Sequence, residues 1–414
     1  MRKSKHRTYA FFIFSKERSL FFMSLPSPAR GKGLAVSILS LSLLTVMAGA
    51  AVAPALGVIQ AYFSGTSQTV VQLIISIPAL FIVITNLCFP ALSRRFSTKT
   101  LVLGGLLLYT VGGCAAGLFD QIALVLVMRA LVGVGVGILM PLSTGLLTFY
   151  YPPERQAALM GYASAMNQMG GVIATLLAGL LSQLNWRASF LVYLLGLLSI
   201  VLCLGFLPSD RLDQPQHAEE ASAAGSPFRT YFIYILAMFL LMSIFFVYPA
   251  NFALETTAEG AVPAQCIAVI MAGADLVAFV GGLLFVHLRR AMGRGCKLLA
   301  PVLFLLGFLL LTLLGGWPGT LLGSACIGFA NGMGIPFLIS EASMQAGKSA
   351  ASTVMPLLSA AMYLAQFLSP LLLGALRGVL GDLPHLAYWF AVVLAVLFVL
   401  CSLRIPVGRG ARRA

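Results

Sequence analysis

Long apolar stretches broken by short polar ones run through the whole chain. Twelve of them are about as long as a membrane-spanning helix: residues 34–62, 68–92, 99–119, 121–150, 154–183, 186–207, 229–253, 262–288, 297–315, 318–341, 349–375 and 384–405. A hydrocarbon core about 30 Å thick takes roughly 20 helical residues to cross. No stretch alternates apolar and polar residues with period two, as a barrel strand does, and an open strand edge would leave its amides unbonded in lipid. The pattern predicts an all-α membrane protein with 12 transmembrane helices, runs 1 to 12 in chain order.

The polar punctuation repeats. Shifted by 195 positions without a gap, Pro54-Ala55 falls on Pro249-Ala250 and Arg94-Arg95 on Arg289-Arg290. Lys99 meets Arg294, Gly112 meets Gly307, and Gly133, Gly137 and Pro141 meet Gly328, Gly332 and Pro336. Ser164-Ala165 and Gly179 meet Ser359-Ala360 and Gly374. Leucine matches mean little in so apolar a chain, but paired arginines and prolines seldom coincide by chance. The chain reads as two copies of one unit, 34–207 and 229–405, with a transport site expected between them. Six helices per copy bring the chain back to its starting side, so the copies are parallel repeats about an axis normal to the membrane. Residues 208–228, rich in Ala, Ser and acids, form the expected linker. Residues 1–33 and 406–414 are basic tails. The first tail is either an amphipathic segment on the membrane surface or the result of a true start at Met23; no cleavage site follows an apolar core in it.

Composition agrees with this reading. The chain is 60% hydrophobic and 9% charged, where a soluble globule carries about 25% charged residues. Its net charge of +14 does not point to nucleic acid, because the basic residues sit in short connections and not along one polar face. Of the 26 Lys and Arg, all but Arg129, Arg187 and Arg377 lie in the tails or in connections on the tails' side. That asymmetry predicts both termini in the cytoplasm. The seven cysteines are scattered singly and show no metal or disulfide spacing. Trp186, Trp317 and Trp389 fall near outer helix ends, as interfacial belt residues do.

Polar residues inside the runs are few. Arg129 lies in run 4, and its repeat position holds Ser324. An arginine in hydrocarbon costs about 2.5–3.5 kcal/mol on insertion scales, so it faces a cavity or an acid, or snorkels to the interface. Asp275, in run 8, is the acid that lies mid-run, and its repeat mate is Leu80. Three roles stand open for it: a proton carrier, a structural carboxyl bonded to Ser, Asn or Arg129 across the halves, or a cation site. Uncharged polar residues at membrane depth are Gln60, Gln72, Asn86, Asn167, Gln168, Tyr248, Asn251, Asn331, Tyr363 and Gln366. Run 7 is strongly aromatic, which suits packing more often than cavity lining. Pro54, Pro249, Pro141 and Pro336 kink corresponding helices. Nothing resembles a P-loop, a Ser/His/Asp set or paired catalytic carboxylates, so no enzyme and no cofactor or metal is expected.

Two sets of six helices with basic connections after runs 2 and 8 resemble the major facilitator superfamily, over residues 34–405. Three of that family's motifs lie on this sequence. Its loop signature G-x-L-a-D-R-x-G-R-K reads here from Pro90 to Lys99, where Leu92, Arg95 and Lys99 match, Arg94 replaces the acid and both glycines are gone. The family's latch of the outward-open state is therefore altered, and Arg94, Arg95, Arg289, Arg290 and Arg294 serve as topological anchors in the other reading. The run 4 signature R-x-x-x-G-x-G fits Arg129, Gly133 and Gly135, with Gly137 following; in proton-coupled members this arginine is tied to proton transfer. The run 5 antiporter signature falls on Gly161, Gly170, Ala174, Thr175, Ala178 and Gly179, with Thr175 in place of its proline.

The resemblance implies a central cavity lined by runs 1, 4, 7 and 10 and flanked by runs 2, 5, 8 and 11. Gln60, Asn167, Gln168, Tyr248, Asn331, Tyr363 and Gln366 are then the substrate-cavity candidates, Asp275 and Arg129 the proton-coupling pair, and Gly133, Gly137, Gly161, Gly170 and Gly179 the helix-packing positions. A monomeric secondary transporter of a small organic solute is expected, working by alternating access with protons as coupling ion in a bacterial inner membrane. Drug or metabolite efflux is the first reading, and nutrient or metallophore uptake the second. A non-transporting membrane sensor or scaffold is the third.

Overall fold

The computed structural model describes residues 28–210, 227–260, 262–381 and 383–406, without the side chains of 28–32, 153, 157, 227–230 and 346–353. The expected basic tails and nearly all of the expected linker lie outside the described residues, as do the side chains of Arg229 and Lys348.

Run 1 is broken. Helix α1, Pro28–Ala50, gives way to a 3-10 turn at Ala53–Ala55 and then to α2, Leu56–Tyr62. Pro54 has no N–H for the Ala50 carbonyl, and its ring crowds that oxygen. Next come α3 (Gln68–Arg95), α4 (Thr98–Ala115), α5 (Ile122–Tyr150) and α6 (Pro153–Ser182). A 3-10 stretch, Trp186–Leu194, leads into α7, Leu195–Phe206. The second half holds α8 (Pro227–Glu259), α9 (Ala264–Met292), α10 (Cys296–Leu313), α11 (Gly316–Leu380) and α12 (Leu386–Leu403). No strand occurs among the described residues.

Eleven stretches among the described residues are long and apolar enough to cross a membrane. Runs 8 and 9 fall together on one of them, Ala264–Leu313, whose helices α9 and α10 meet at the turn Gly293–Gly295. Runs 10 and 11 both fall within α11, which carries two apolar spans, Gly316–Gln345 and Val354–Leu380. Several helices extend past their expected ends, α8 and α11 furthest: α8 continues to Glu259 and α11 to Leu380. No breaker arrives before Gly260 and Gly381, both with positive φ. The charges on the extra turns are paired, Glu255 with Arg377 and Glu259 with His385, so they need not leave the helix.

Buried apolar side chains form two cores. One is drawn from residues 34–207 together with Phe246, Ala250 and Leu254. The other is drawn from residues 231–405 together with Ala53. The exchanged residues sit beside Pro54 and Pro249, so the halves interlock where runs 1 and 7 carry their prolines. The repeat is also written into the contacts. A Cβ at Gly112 would meet the Met128 carbonyl, Leu131 and Val132; one at Gly307 would meet the Gly323 carbonyl, Cys326 and Ile327. Each partner is displaced by the same 195 positions, so close approach of equivalent helices requires glycine in both halves.

Side-chain contacts sort the connections into two faces. On one face Tyr62, Asp120 and Arg187 meet, and Glu259 meets His385. On the other, Lys99 Nζ donates to the Leu204 carbonyl at 2.8 Å and Lys297 Nζ to the Leu403 carbonyl at 2.8 Å, so each half caps its own last helix with a lysine. The first is called the odd face and the second the even face, after the order of their connections.

The Tyr62 hydroxyl donates to Asp120, and Arg187 pairs with the same oxygen. These partners, the Tyr62 hydrogen bond foremost, hold the Asp120 carboxyl below its ordinary range. A depressed carboxyl contributes stability above its unfolded value, about 3.9, and loses it as pH falls through the lower folded value. Acidification from about pH 5 to 3 is therefore expected to lower the melting temperature of the parent protein slightly more than that of Asp120→Asn. An equal or smaller drop in the parent would contradict this.

Candidate functional site

Arg129 is wholly buried, and its guanidinium is spent inside the amino-terminal half. Nε donates to the Ile74 carbonyl at 2.6 Å, Nη1 to the Tyr193 hydroxyl and Nη2 to the Ala48 carbonyl. Tyr193 also donates to Ala48 O at 2.7 Å. One of these carbonyls is orphaned by a proline and the other lies at a helix end. Ile74 stands four residues before Pro78, which has no N–H to return. Ala48 lies in the last turn of α1, ahead of the break at Pro54, where carbonyls lose their helical donors. Arg129 thus replaces hydrogen bonds that Pro78 and the run 1 break remove. The second half explains its absence there. Gly273 stands where Pro78 would repeat, so no matching carbonyl is orphaned, and Ser324 at the arginine's position bonds the Tyr248 hydroxyl at 2.8 Å.

Asp275 lies on α9 where it packs against α6 of the other half. Its Oδ2 accepts from Thr175 Oγ1 at 3.1 Å. Gly171, one turn back on α6, leaves room for the carboxylate; a Cβ there would lie 3.7 Å from Oδ2. Thr175 occupies the signature's proline position, so the departure from the family pattern supplies the partner of the half-buried acid. The structure does not bring Asp275 and Arg129 together.

The cavity candidates divide by environment. Asn167, Gln168, Asn331 and Gln366 are half-buried, and the amide oxygens of Asn167 and Asn331 are enclosed without a hydrogen-bond donor. Tyr363 donates to Met140 Sδ at 3.1 Å, joining α11 to α5 across the halves. Tyr248 is buried in the carboxy-terminal core and stacks obliquely on Phe252, with ring centroids 4.7 Å apart. Gln60 turns back to its own connection, where Nε2 donates to the Thr66 carbonyl at 3.0 Å.

Arg94, Arg95, Arg290 and Arg294 are exposed at the even face. Arg289 is not simply an anchor: it bonds Ser340 Oγ at 2.5 Å and pairs with the buried Glu341 at 2.6 Å. Gly133 and Gly137 face α3, where a Cβ would come within 2.5 Å of the Pro78 carbonyl and 2.6 Å of Thr85 Cβ. Gly170 faces α1 and Gly179 faces α9, but a Cβ at Gly161 would meet nothing within 4 Å. Trp186 is covered by Tyr62, Phe63 and Phe190 and is only 3% exposed, whereas Trp317 and Trp389 lie open at 45% and 43%.

Sequence reasoning missed Thr175, Glu255 and Arg377 as site residues. A hydroxyl replacing a signature proline in a run paired with an acid was the available signal for Thr175. For Arg377 it was an unbroken helical pattern up to Gly381.

Two interlocked helical halves joined by a half-buried carboxylate define a polytopic membrane protein. The sequence profile of the Major Facilitator Superfamily matches residues 38–370, and the chain belongs to that superfamily. With eleven apolar stretches long enough to cross a membrane among the described residues, it is an integral membrane protein of that superfamily. A multidrug resistance protein B homolog of Mycobacterium tuberculosis is 33% identical over 119 residues, 28% of this chain and 22% of its own length. A hexuronate transporter of Bacillus subtilis is 24% identical over 163 residues, 39% of each chain. The chain therefore matches well under half the length of these relatives. The fold is that of a bacterial homolog of the human lysosomal transporter Spinster, solved inward-facing and occupied. Its TM-score is 0.73 at 16% identity, covering 92% of this chain and 98% of that one.

Proposed function

We propose that the protein exports a small organic solute in exchange for protons by alternating access, with both termini cytoplasmic in a bacterial inner membrane. The observation that carries the coupling is the Asp275–Thr175 bond at 3.1 Å, because it joins α9 to α6 across the halves. When the halves rock apart, Asp275 loses the Thr175 hydroxyl. A carboxylate left in apolar surroundings is costly, so it takes a proton or meets water at that moment. Proton uptake is thereby tied to the change of access. Arg129 contributes by holding the kinked first helices and not by exchanging protons with Asp275. The likeness to a multidrug resistance protein supports efflux; the likeness to a hexuronate transporter supports uptake as the second reading.

The test uses the full chain in liposomes with ethidium as probe solute. An imposed pH gradient is expected to drive ethidium uphill with the parent protein and not with Asp275→Asn. Downhill ethidium exchange persists in the variant. Gradient-driven transport that survives in Asp275→Asn removes this residue from the coupling. The gradient sign that drives accumulation separates efflux from uptake.

A further inference from the structure

We propose that Gln72, Asn251 and Arg377 form the latch that closes the odd face, and that this face opens only when the Gln72–Asn251 bond breaks. The proposal rests on the alternating-access reading above.

Gln72, on α3 of the first half, is 0% exposed, and Asn251, on α8 of the second, is 1% exposed. Gln72 Nε2 donates to Asn251 Oδ1 at 2.6 Å. The same oxygen accepts from Arg377 Nη2 on α11 at 3.3 Å, so one acceptor atom gathers donors from both halves. Asn251 Nδ2 donates to the Val247 carbonyl at 2.9 Å, which fixes the amide with its oxygen towards Gln72. Arg377 lies 3.8 Å from Glu255, one turn above Asn251, and Glu259 one turn further meets His385 at 3.0 Å. The network therefore runs from the membrane interior to the odd-face connection before α12.

Around it the two halves close to contact. A Cβ at Gly57 would lie 2.9 Å from Thr257 Oγ1, and one at Gly374 would lie 2.5 Å from Thr69 Oγ1. Repeat packing does not require the polar trio: the positions related to Gln72, Asn251 and Arg377 by the 195-residue offset hold Ile267, Leu56 and Ser182. Separating buried amides without water leaves both unbonded, whereas entering water satisfies them. The latch is thus bistable, made when the face is dry and released when it is wet.

Hydrogen–deuterium exchange of the purified full chain tests this without a transported solute. In Gln72→Leu, and separately in Asn251→Leu, peptides covering 56–75, 247–260 and 370–381 are expected to exchange several-fold faster. Even-face peptides covering 88–100 and 285–298 are expected to slow, because opening one face closes the other. Arg377→Gln gives the same pair of opposite shifts at smaller size. Faster exchange at both faces means the trio only stabilises the fold, and unchanged exchange means it holds nothing; either overturns the latch. Opposite shifts in a protein that moves no ethidium would retain the latch and discard the efflux reading.

Discussion

Arg129→Met is expected to destabilise the protein by about 1–3 kcal/mol, the cost of one buried group left unbonded, since it strips the donor from Ile74 O while Ala48 O keeps the Tyr193 hydroxyl. Measured values for single bonds between membrane helices run lower, near 0.6 kcal/mol, so the lower end of that range is the firmer expectation. The purified variant should melt several degrees below the parent. The informative experiment is the double variant. Pro78→Ala supplies an N–H four residues after Ile74, where α3 now lacks one. In the Arg129→Met background it should return about 1 kcal/mol, the worth of one hydrogen bond. In the parent it should change little, because a carbonyl accepts two donors. If Pro78→Ala returns nothing, or if Arg129→Met melts like the parent yet loses proton-driven transport, the arginine acts as a coupling group and the account fails.

Gly170→Ala is expected to be strongly damaging, and Gly161→Ala harmless, although both glycines lie in run 5. A Cβ at Gly170 would stand 2.0 Å from the Leu43 carbonyl of α1, a backbone atom that cannot swing aside. Helices α1 and α6 must then separate, and overpacking of this kind costs about 1–3 kcal/mol or more. A Cβ at Gly161 meets nothing within 4 Å, and glycine in a helix is about 0.8–1.0 kcal/mol worse than alanine. Gly161→Ala should therefore match or exceed the parent in monodisperse yield and melting temperature, while Gly170→Ala falls well below it. Equal behaviour of the two variants would mean that α1 and α6 do not pack as described.

Both glycines belong to one signature, and the sequence treats them alike. The difference between them lies in which neighbour comes near. Gly170 faces α1, whereas Gly161 lies towards the even-face end of α6, where no element is in contact. A motif states which positions were small in related chains; it does not say which helix stands opposite in this one. Arg129 makes the same point from the other side. Its place in an apolar run was legible, and so was the lack of a repeat mate. Its partners were not, because they are backbone carbonyls whose need for a donor arises from Pro78 on α3 and from the end of α1.

The polar network at the odd face was legible only in fragments. Gln72 and Asn251 stood out as amides in apolar runs. Arg377 read as lying outside the membrane because the apolar pattern ends near residue 375. Helical backbone bonding carries α11 on to Leu380, and the side chain stays within because Glu255 and Asn251 offer it acceptors. Hydropathy marks where lipid ends, and a charged residue paired inside the protein obeys a different rule.

The order of residues alone determined the membrane class, the helical content and the doubled architecture. Those follow from properties each residue carries wherever it stands: hydrocarbon admits only internally bonded backbone, and an unbroken 195-residue offset survives without any folding. Tertiary structure alone decided which buried polar group meets which. Thr175 reaches Asp275, Gln72 reaches Asn251, and Arg129 reaches two carbonyls, one left by a proline and one at a helix end. Such pairings depend on distances between helices far apart in the chain, and a hydrogen bond loses its worth within about an ångström of misplacement.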